Sequence, residues 1–424
     1  MGATWSSAST ATVLHYADKP ALLSVPTDQG KDELDLRTLV EQRCPSLHKP
    51  FVPAWWLPNG HMQTLYCVLG DFTKTDRMRY QRTFLRMKEG GTVSMDWAPV
   101  EQETLPDDTP IIVVKHGLTG GSYEAYVRSI LNLAVKPKAE GGLGYRAVVC
   151  NFRGCAGTPV TSQQLYSAGY TDDLRQEVLY IRHLYPNAPL LGIGFSSMLL
   201  AMEPRFQQRR PEFHLLGYTH LLERHGAESR SPCRSSLCNV FEGPEHPAAR
   251  AVADALALRS PRLEDFDEVV TSKIGGPPPL WPFPSARAYY DECSSHQVVK
   301  DIRVPFLAIN AADDPVVTRV PMDGGGNGMV VMALTPHGGH LGWFESAGGL
   351  GQTTRWMREP VLEWLRMCAE EVSHDGLSRR ERRVYVDEEG WVREEGNDSL
   401  GCRRVAGGGI IDGNGGEEGM LQGL

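Results

Sequence analysis

Apolar positions change their spacing along this chain. On either side of Glu89-Gly90-Gly91 they alternate with polar ones, which predicts a β-hairpin of Arg79–Met87 and Thr92–Trp97. From Ile111 onward they come in short unbroken runs instead: IIVVKHG (Ile111–Gly117), RAVVCNFRG (Arg146–Gly154), PLLGIGFS (Pro189–Ser196), PFLAINAADDPVV (Pro305–Val317) and MVVMALTP (Met329–Pro336). Runs of this length, bounded by turn formers, read as strands buried on both faces. TDDLRQEVLYIRHLYP (Thr171–Pro186) has a Thr cap, acids in its first turn, apolar residues three and four apart, and a Pro stop. It predicts a helix. Thr353–Cys368 reads as a closing helix. Strands alternating with helices predict an α/β fold: a mostly parallel central sheet with helices on both faces.

Three stretches fall outside this pattern. Residues 1–49 are mixed and polar, an N-terminal extension with helix expected around Lys31–Arg43 and little strand pattern. Residues 50–372 form the main domain. It opens on PFVPAWWLPNGHMQTLY (Pro50–Tyr66), rich in aromatics and turn formers, in which His61 reads as a structural histidine or a polar anchor near the pocket. Within that domain, residues 197–244 hold many Arg, Ser, His and Gln and no convincing buried strand. This aberrant segment has the composition of an unordered loop. Residues 373–424 are charged, then Gly-rich, and read as a poorly ordered tail with one hairpin at RVYVDEEGWV. No internal repeat is present.

Composition narrows the function. The 424 residues are 41% apolar, enough for a sizeable core plus tails. A net charge of −9 argues against a nucleic-acid partner and gives no general attraction to anionic lipid. The nine cysteines are scattered. Cys150/Cys155 and Cys233/Cys238 have C-x4-C spacing without the nearby histidine of a common zinc site, so no metal is expected. The thiols read as reduced, which places the protein inside the cell: cytoplasmic, or peripheral to lipid droplets or membranes. Met1–Pro26 has no basic patch followed by an apolar run, and no stretch of about 18 apolar residues exists to span a bilayer.

The central chemical signal is Gly192-Ile193-Gly194-Phe195-Ser196. A strand running into G-x-S presents a serine on a sharp turn at the sheet's C-terminal edge, with its Oγ exposed. The full pattern is G-x-S-x-G, and Met198 stands at its last position. A serine nucleophile needs a base, and the base an orienting acid. Asp313-Asp314 follow the strand FLAIN, and HGGHLGW follows MVVMAL, which gives the order Ser, Asp, His. Asp314 is the preferred acid, with Asp313 a turn or capping residue. His340 is preferred over the competing His337, because the glycines before it give a short, flexible loop. The run His116-Gly117-Leu118-Thr119-Gly120-Gly121 follows IIVVK where such enzymes supply an oxyanion-hole N–H. Leu118 N–H and Ser197 N–H are the expected donors. No G-K-[ST] follows, so this is no phosphate cradle. Arg153 reads as a structural bridge between carboxylates, and Asp172 and Asp173 as helix-start acids.

Together these motifs resemble one α/β-hydrolase group, which includes the fungal medium-chain fatty-acid ethyl ester synthase/esterases. The matching stretches are PFVPAWWLPNGHMQTLYCVLGDF, VVKHGLTGGSYEAYV, YRAVVCNFRGCAG, LYSAGYTDDLRQEVLYIRHLYPNAPLLGIGFS, FLAINAADDPVV, GGHLGW and the C-terminal DSLGCRRVAGGGIIDGNGGEEGMLQGL. The NGHxQT and HGLTGGS pair is specific. The resemblance covers about Pro50–Ser196 and His246–Leu424. It implies the α/β-hydrolase fold, with Ser196 as nucleophile, Asp314 and His340 as its partners, and Leu118 as an oxyanion donor. It lapses between Ser197 and about Glu245, where family members continue G-F-S-x-G-A-N into a helix and a buried strand. The stretch that begins MLLAMEPRFQQRRPEF reads instead as foreign or out-of-frame sequence.

The expected activity is serine-dependent hydrolysis or alcoholysis of medium-chain acyl esters or thioesters through an acyl-enzyme. The partners are then an acyl ester or acyl-CoA and an alcohol. No cofactor is called for, and peripheral contact with a lipid surface stays open. The alternative is a catalytically impaired lipid-binding or interaction protein with a decayed site.

Overall fold

Each predicted apolar run carries a strand. The computed structural model describes residues 11–27, 30–196, 247–259, 262–294, 297–317, 320–349, 351–373 and 382–413. In chain order, β1 (Val13–Tyr16), β2 (Leu22–Thr27) and β3 (Gly30–Asp35) precede α1 (Leu36–Arg43) and α2 (Gly60–Leu69). The hairpin β4 (Arg79–Met87) and β5 (Thr92–Ala98) leads to β6 (Ile111–Lys115), α3 (Ala125–Ala134), β7 (Arg146–Asn151), α4 (Asp172–Leu184) and β8 (Leu190–Gly194). Helices Pro247–Ala257 and Ala286–Glu292 come before β9 (Phe306–Ala311) and β10 (Val330–Thr335). The chain then forms β11 (Phe344–Ser346), β12 (Thr353–Arg355) and helix Arg358–Arg366. It closes with β13 (Val384–Val386), β14 (Val392–Glu394) and β15 (Asn397–Asp412). No helix among the described residues is long and apolar enough to cross a membrane.

The chain divides into two compact units. The larger comprises Asp71–Ser295 and Arg380–Leu424. Its eight strands run in the order β13-β14-β15-β4-β5-β7-β6-β8. The pairs β7–β6 and β6–β8 are parallel, and the remaining pairs are antiparallel. The parallel end is the βα alternation legible in the sequence. The antiparallel end is built from hairpins. One face is covered by α4, whose Tyr180 and Ile181 pack on Met95, Trp97, Ile111, Val113 and Val148. Each such side chain contributes about 1.5–3 kcal/mol by leaving water. Asp172 and Asp173 open α4 and Arg182 and His183 close it, in the sense its dipole favours. Arg153 meets Asp173 at 2.6 and 2.8 Å, donates to Ser162 at 3.0 Å, and pairs with Glu89, which fixes the start of that helix to the end of β7.

The smaller unit comprises Met1–Gly70 and His296–Arg379. Its sheet has the order β1-β10-β9, with β10–β9 parallel and β1–β10 antiparallel. The β2–β3 and β11–β12 hairpins lie beside it in sequence. Asp35 caps α1 by accepting the Thr38 N–H at 3.0 Å. Leu36, Leu39 and Val40 are fully buried. Among the described residues β8 pairs only with β6, and β9 only with β10.

Three expectations are corrected. Residues 30–35 are a strand paired with β2, so helix begins only at Leu36. Local pairing outweighs the weak helical pattern of KDELD. Thr353–Arg355 is also a strand, and the closing helix starts at Arg358. The expected hairpin in RVYVDEEGWV is present as β13–β14. The Gly-rich stretch after it is not a loose tail: β15 pairs with β4 from Cys402 to Asp412, with a register shift between Val405 and Gly409. Gly407, Gly408 and Gly409 take φ of 109°, 86° and 119° to make that shift. A bulge uses glycine for its backbone freedom, a composition that in sequence looks like disorder. The segment 197–244 and residues beyond 413 lie outside the described residues.

His116 sits at the end of β6, fully buried. Its Nδ1–H donates to Gly117 O at 2.7 Å, and its Nε2 accepts the Phe152 N–H at 3.3 Å. The ring thereby ties the ends of β6 and β7 together. Burial pushes its pKa down to about 3, so it is neutral in the folded chain.

The bulge and the buried histidine can each be tested by unfolding. A Cβ on Gly408 would lie 2.3 Å from Arg82 O, so Gly408→Ala should cost about 1–3 kcal/mol in urea unfolding. Unfolded His116 titrates near 6.5, so below that pH the unfolded state binds the extra proton. Stability should therefore fall as pH drops from about 6.5 toward 3, and His116→Gln should flatten that slope. Equal slopes for the two proteins would remove His116 from this role.

Candidate active site

In the larger unit parallel pairing sets the place of Ser196. In the β6–β8 register Lys115 lies opposite Gly194, and Phe195 N–H donates to Lys115 O at 3.1 Å. Ser196 and the His116–Gly121 loop therefore leave adjacent strand ends at one edge of the sheet. Strand C-termini in such sheets are where ligands bind. Ser196 has φ of +49°, a left-handed backbone that costs a non-glycine residue about 1–2 kcal/mol. It is 2% exposed, so the serine is buried rather than presented to solvent as G-x-S suggests. Phe195 packs on Tyr126 with ring centroids 4.8 Å apart. Ser197 and Met198 lie outside the described residues, so no geometry attaches to Ser197 as an oxyanion donor.

The loop after β6 has its backbone N–H groups largely committed. Gly117 N–H donates to Tyr126 OH at 3.0 Å and Thr119 N–H to Tyr166 OH at 3.0 Å. Gly120 N–H donates to Gly117 O at 3.2 Å. Leu118, between them, makes no N–H hydrogen bond among the described residues. Leu118 is half-buried, and an oxyanion site requires a donor held in a fixed turn. Thr119 takes φ of +58° in this turn. Ser122 closes the loop: its N–H donates to Asn151 Oδ1 at 3.1 Å and its hydroxyl to Asp96 at 2.6 Å.

Asp314 and His340 belong to the smaller unit, and there too a parallel pair positions them. Thr335 at the end of β10 lies opposite Ala311 at the end of β9. The acid loop and the base loop leave these adjacent ends. His340 Nδ1 lies 2.9 Å from Asp314 Oδ2, with both side chains buried. Asp314 Oδ1 accepts the N–H groups of Val316 and Val317 at 2.7 and 2.8 Å. The carboxylate is thus oriented by its own turn and meets the imidazole with its second oxygen. This fixes the ring and assigns Nε2 as the nitrogen that would exchange a proton. The competing pair also exists: His337 Nδ1 lies 3.0 Å from Asp313 Oδ2, but at 35% and 24% side-chain exposure. Asp313 Oδ1 accepts the Gly339 N–H at 3.0 Å, so this carboxylate serves the base loop as well as His337.

The base loop is wound tightly. Leu341 and Trp343 have φ of +57° and +47°. A Cβ on Gly338 would fall 2.5 Å from the Trp343 indole nitrogen. Trp343 donates that indole N–H to Thr335 Oγ1 at 2.9 Å. Sequence reading missed two residues that face this loop from α2. Thr64 Oγ1 accepts the His340 N–H at 2.8 Å, and Gln63 Oε1 accepts the Phe344 N–H at 2.7 Å. Their signal was a pair of buried polar residues in Pro50–Gly70, a stretch without Asp, Glu, Lys or Arg. His61, in the same stretch, is exposed.

Six non-glycine residues among those described have positive φ: Asp76, Thr119, Ala156, Ser196, Leu341 and Trp343. Four of the six lie in the G-x-S turn, the loop after β6 and the base loop. Strained backbone of this kind persists only where the surrounding structure holds it in place.

No family model matches the chain. Among curated proteins it is 30% identical over 352 residues to the embryogenesis-associated protein EMB8 of Picea glauca, covering 75% of this chain and 72% of that protein. It is 27% identical over 409 residues to a monoacylglycerol lipase of Saccharomyces cerevisiae, covering 81% and 87% respectively. To the phospholipase ABHD3 of Homo sapiens it is 26% identical over 335 residues, covering 72% and 76%. With parallel strands delivering a G-x-S serine, an Asp and a His in this order, the chain belongs to the α/β-hydrolase (ABHD) family.

Proposed function

We propose that the protein is a serine-dependent carboxylic ester hydrolase working through an acyl-enzyme. Ser196 is the nucleophile, His340 the general base and Asp314 its orienting acid. Leu118 N–H and Ser197 N–H stabilise the oxyanion. The observation that carries this reading is the left-handed Ser196 at the end of β8, beside the loop that holds Leu118 N–H. The buried Asp314–His340 bond supports it, as do the names of two relatives, a monoacylglycerol lipase and a phospholipase.

In this mechanism His340 Nε2 takes the Ser196 proton as Oγ attacks the ester or thioester carbonyl. The C–O or C–S bond to the leaving group breaks, and His340 returns the proton to that group. Water or an alcohol such as ethanol then attacks the acyl carbonyl and gives its proton to His340; the C–Oγ bond breaks, His340 returns the proton to Ser196 Oγ, and the acid or a new ester leaves. Each oxyanion donor is worth about 3 kcal/mol in such a step. Medium-chain acyl groups are the proposed substrates. A second reading is a catalytically impaired lipid-binding or interaction protein. Met198, in place of the glycine that closes G-x-S-x-G, favours it.

A fluorophosphonate probe separates the two readings. On the enzymatic reading it labels the wild-type chain and not Ser196→Ala, and Asp314→Asn lowers turnover of a p-nitrophenyl octanoate by about 10⁴-fold. Absence of labelling in the wild type would leave the impaired reading standing. His337→Gln tests the competing base: its labelling rate should stay within about threefold of wild type. A loss as large as that of His340→Gln would exchange the roles of the two histidines.

A further inference from the structure

We infer that Thr64 is a positioning residue for His340, and that α2 acts through it as a clamp on the base loop. The inference rests on the proposed role of His340 as the base.

The Asp314–His340 bond orients the ring, but it does not fix where the ring starts. That is set by the backbone of residues 337–344, a turn of glycines and left-handed residues closed by the Trp343 N–H donating to Gly338 O at 3.0 Å and braced by Arg355 donating to Gly342 O at 3.0 Å. Two consecutive residues of α2 hold it. Thr64 Oγ donates to Gly60 O at 2.7 Å, which directs the hydroxyl hydrogen into the helix and turns a lone pair outward. That lone pair accepts the His340 N–H at 2.8 Å. Gln63 spans Phe344 as a strand partner would: Oε1 accepts its N–H at 2.7 Å and Nε2 donates to its C=O at 3.1 Å. The second Nε2 hydrogen goes to Leu57 O at 2.9 Å, so the amide is committed entirely to backbone. Gln63 and Thr64 are 0% and 2% exposed. A buried polar group that loses its partner keeps its desolvation cost without the bond that offset it, so each of these bonds resists displacement of the loop.

Packing closes the same contact. A Cβ on Gly339 would lie 2.3 Å from Gly60 O, and a Cβ on Gly60 would lie 1.9 Å from Asp313 O. Both glycines are needed for α2 to come this near the acid and base loops. Asn59 starts the helix at that point by accepting the Met62 N–H at 3.1 Å. The N-G-H-x-Q-T run thus supplies a cap, a close approach and two clamps. Its exposed His61 takes no part in them.

The test uses full-length protein labelled with ¹⁵N-histidine, with Thr64→Val and Thr64→Ser. Two rates are read: exchange of the His340 amide and fluorophosphonate labelling of Ser196. In Thr64→Val the amide should exchange at least about tenfold faster, and the limiting labelling rate should fall about tenfold with the half-saturating probe concentration unchanged. Thr64→Ser, which keeps the hydroxyl, should restore both to within about threefold. Wild-type exchange in Thr64→Val overturns the clamp. Faster exchange in a chain whose wild type takes no label keeps the clamp and removes the hydrolase reading. Should Thr64→Val not fold, the wild-type amide decides: exchange at the rate of an unstructured chain overturns the proposal.

Discussion

Parallel pairing brings two loops out of the same edge of a sheet, and this chain uses it twice. The β6–β8 register releases the Gly117–Gly121 loop beside Ser196, and the β9–β10 register releases Asp314 beside His340. Nothing in the loops themselves would bring the members of either pair together. Their residues are small, left-handed or turn-forming, and they inherit their positions from strands that are buried and regular. Each loop is then tied down by hydrogen bonds from a neighbouring element. Tyr126 and Tyr166 hold the first, and Gln63, Thr64 and Asp313 hold the second.

Behind the first loop lies a buried ionic network. Arg82 meets both oxygens of Asp96 at 2.7 and 2.6 Å, and Asp96 also accepts from Ser122 and from Asn151 Nδ2 at 2.7 Å. The four side chains come from β4, β5, β7 and the loop itself. Such a network adds little net stability over an apolar packing of the same volume, because desolvating the charges offsets their attraction. What it does supply is direction. Ser122 can satisfy both its N–H and its hydroxyl only in one place, and that place ends the loop that holds Leu118.

Much of this was legible in the sequence because it rests on local pattern. Unbroken apolar runs marked β6 to β10, and the cap, first-turn acids and Pro stop marked α4. The Asp and His could be placed because each follows such a run directly. What escaped depends on partners far away in the chain. KDELD became strand by pairing with β2. AGGGII became strand by pairing with β4, its glycines making a bulge that composition cannot tell from a loose tail. Gln63 and Thr64 stood in the NGHxQT motif without a legible role, since their partners lie about 280 residues on. The burial of Ser196 escaped as well, because G-x-S specifies a turn and not what covers it.

The left-handed turn at Ser196 bears on how such a chain would drift under mutation. Glycine occupies that conformation without steric penalty, so for backbone strain alone it is the easier residue at position 196. A serine there is held against a standing thermodynamic pull toward its own loss. Were the chemistry to become dispensable, one base change in a serine codon such as AGC or AGT would give glycine and relax the backbone at the same time. On the proposed role of Ser196, glycine at this position in an orthologous chain would mark one in which that chemistry has been given up.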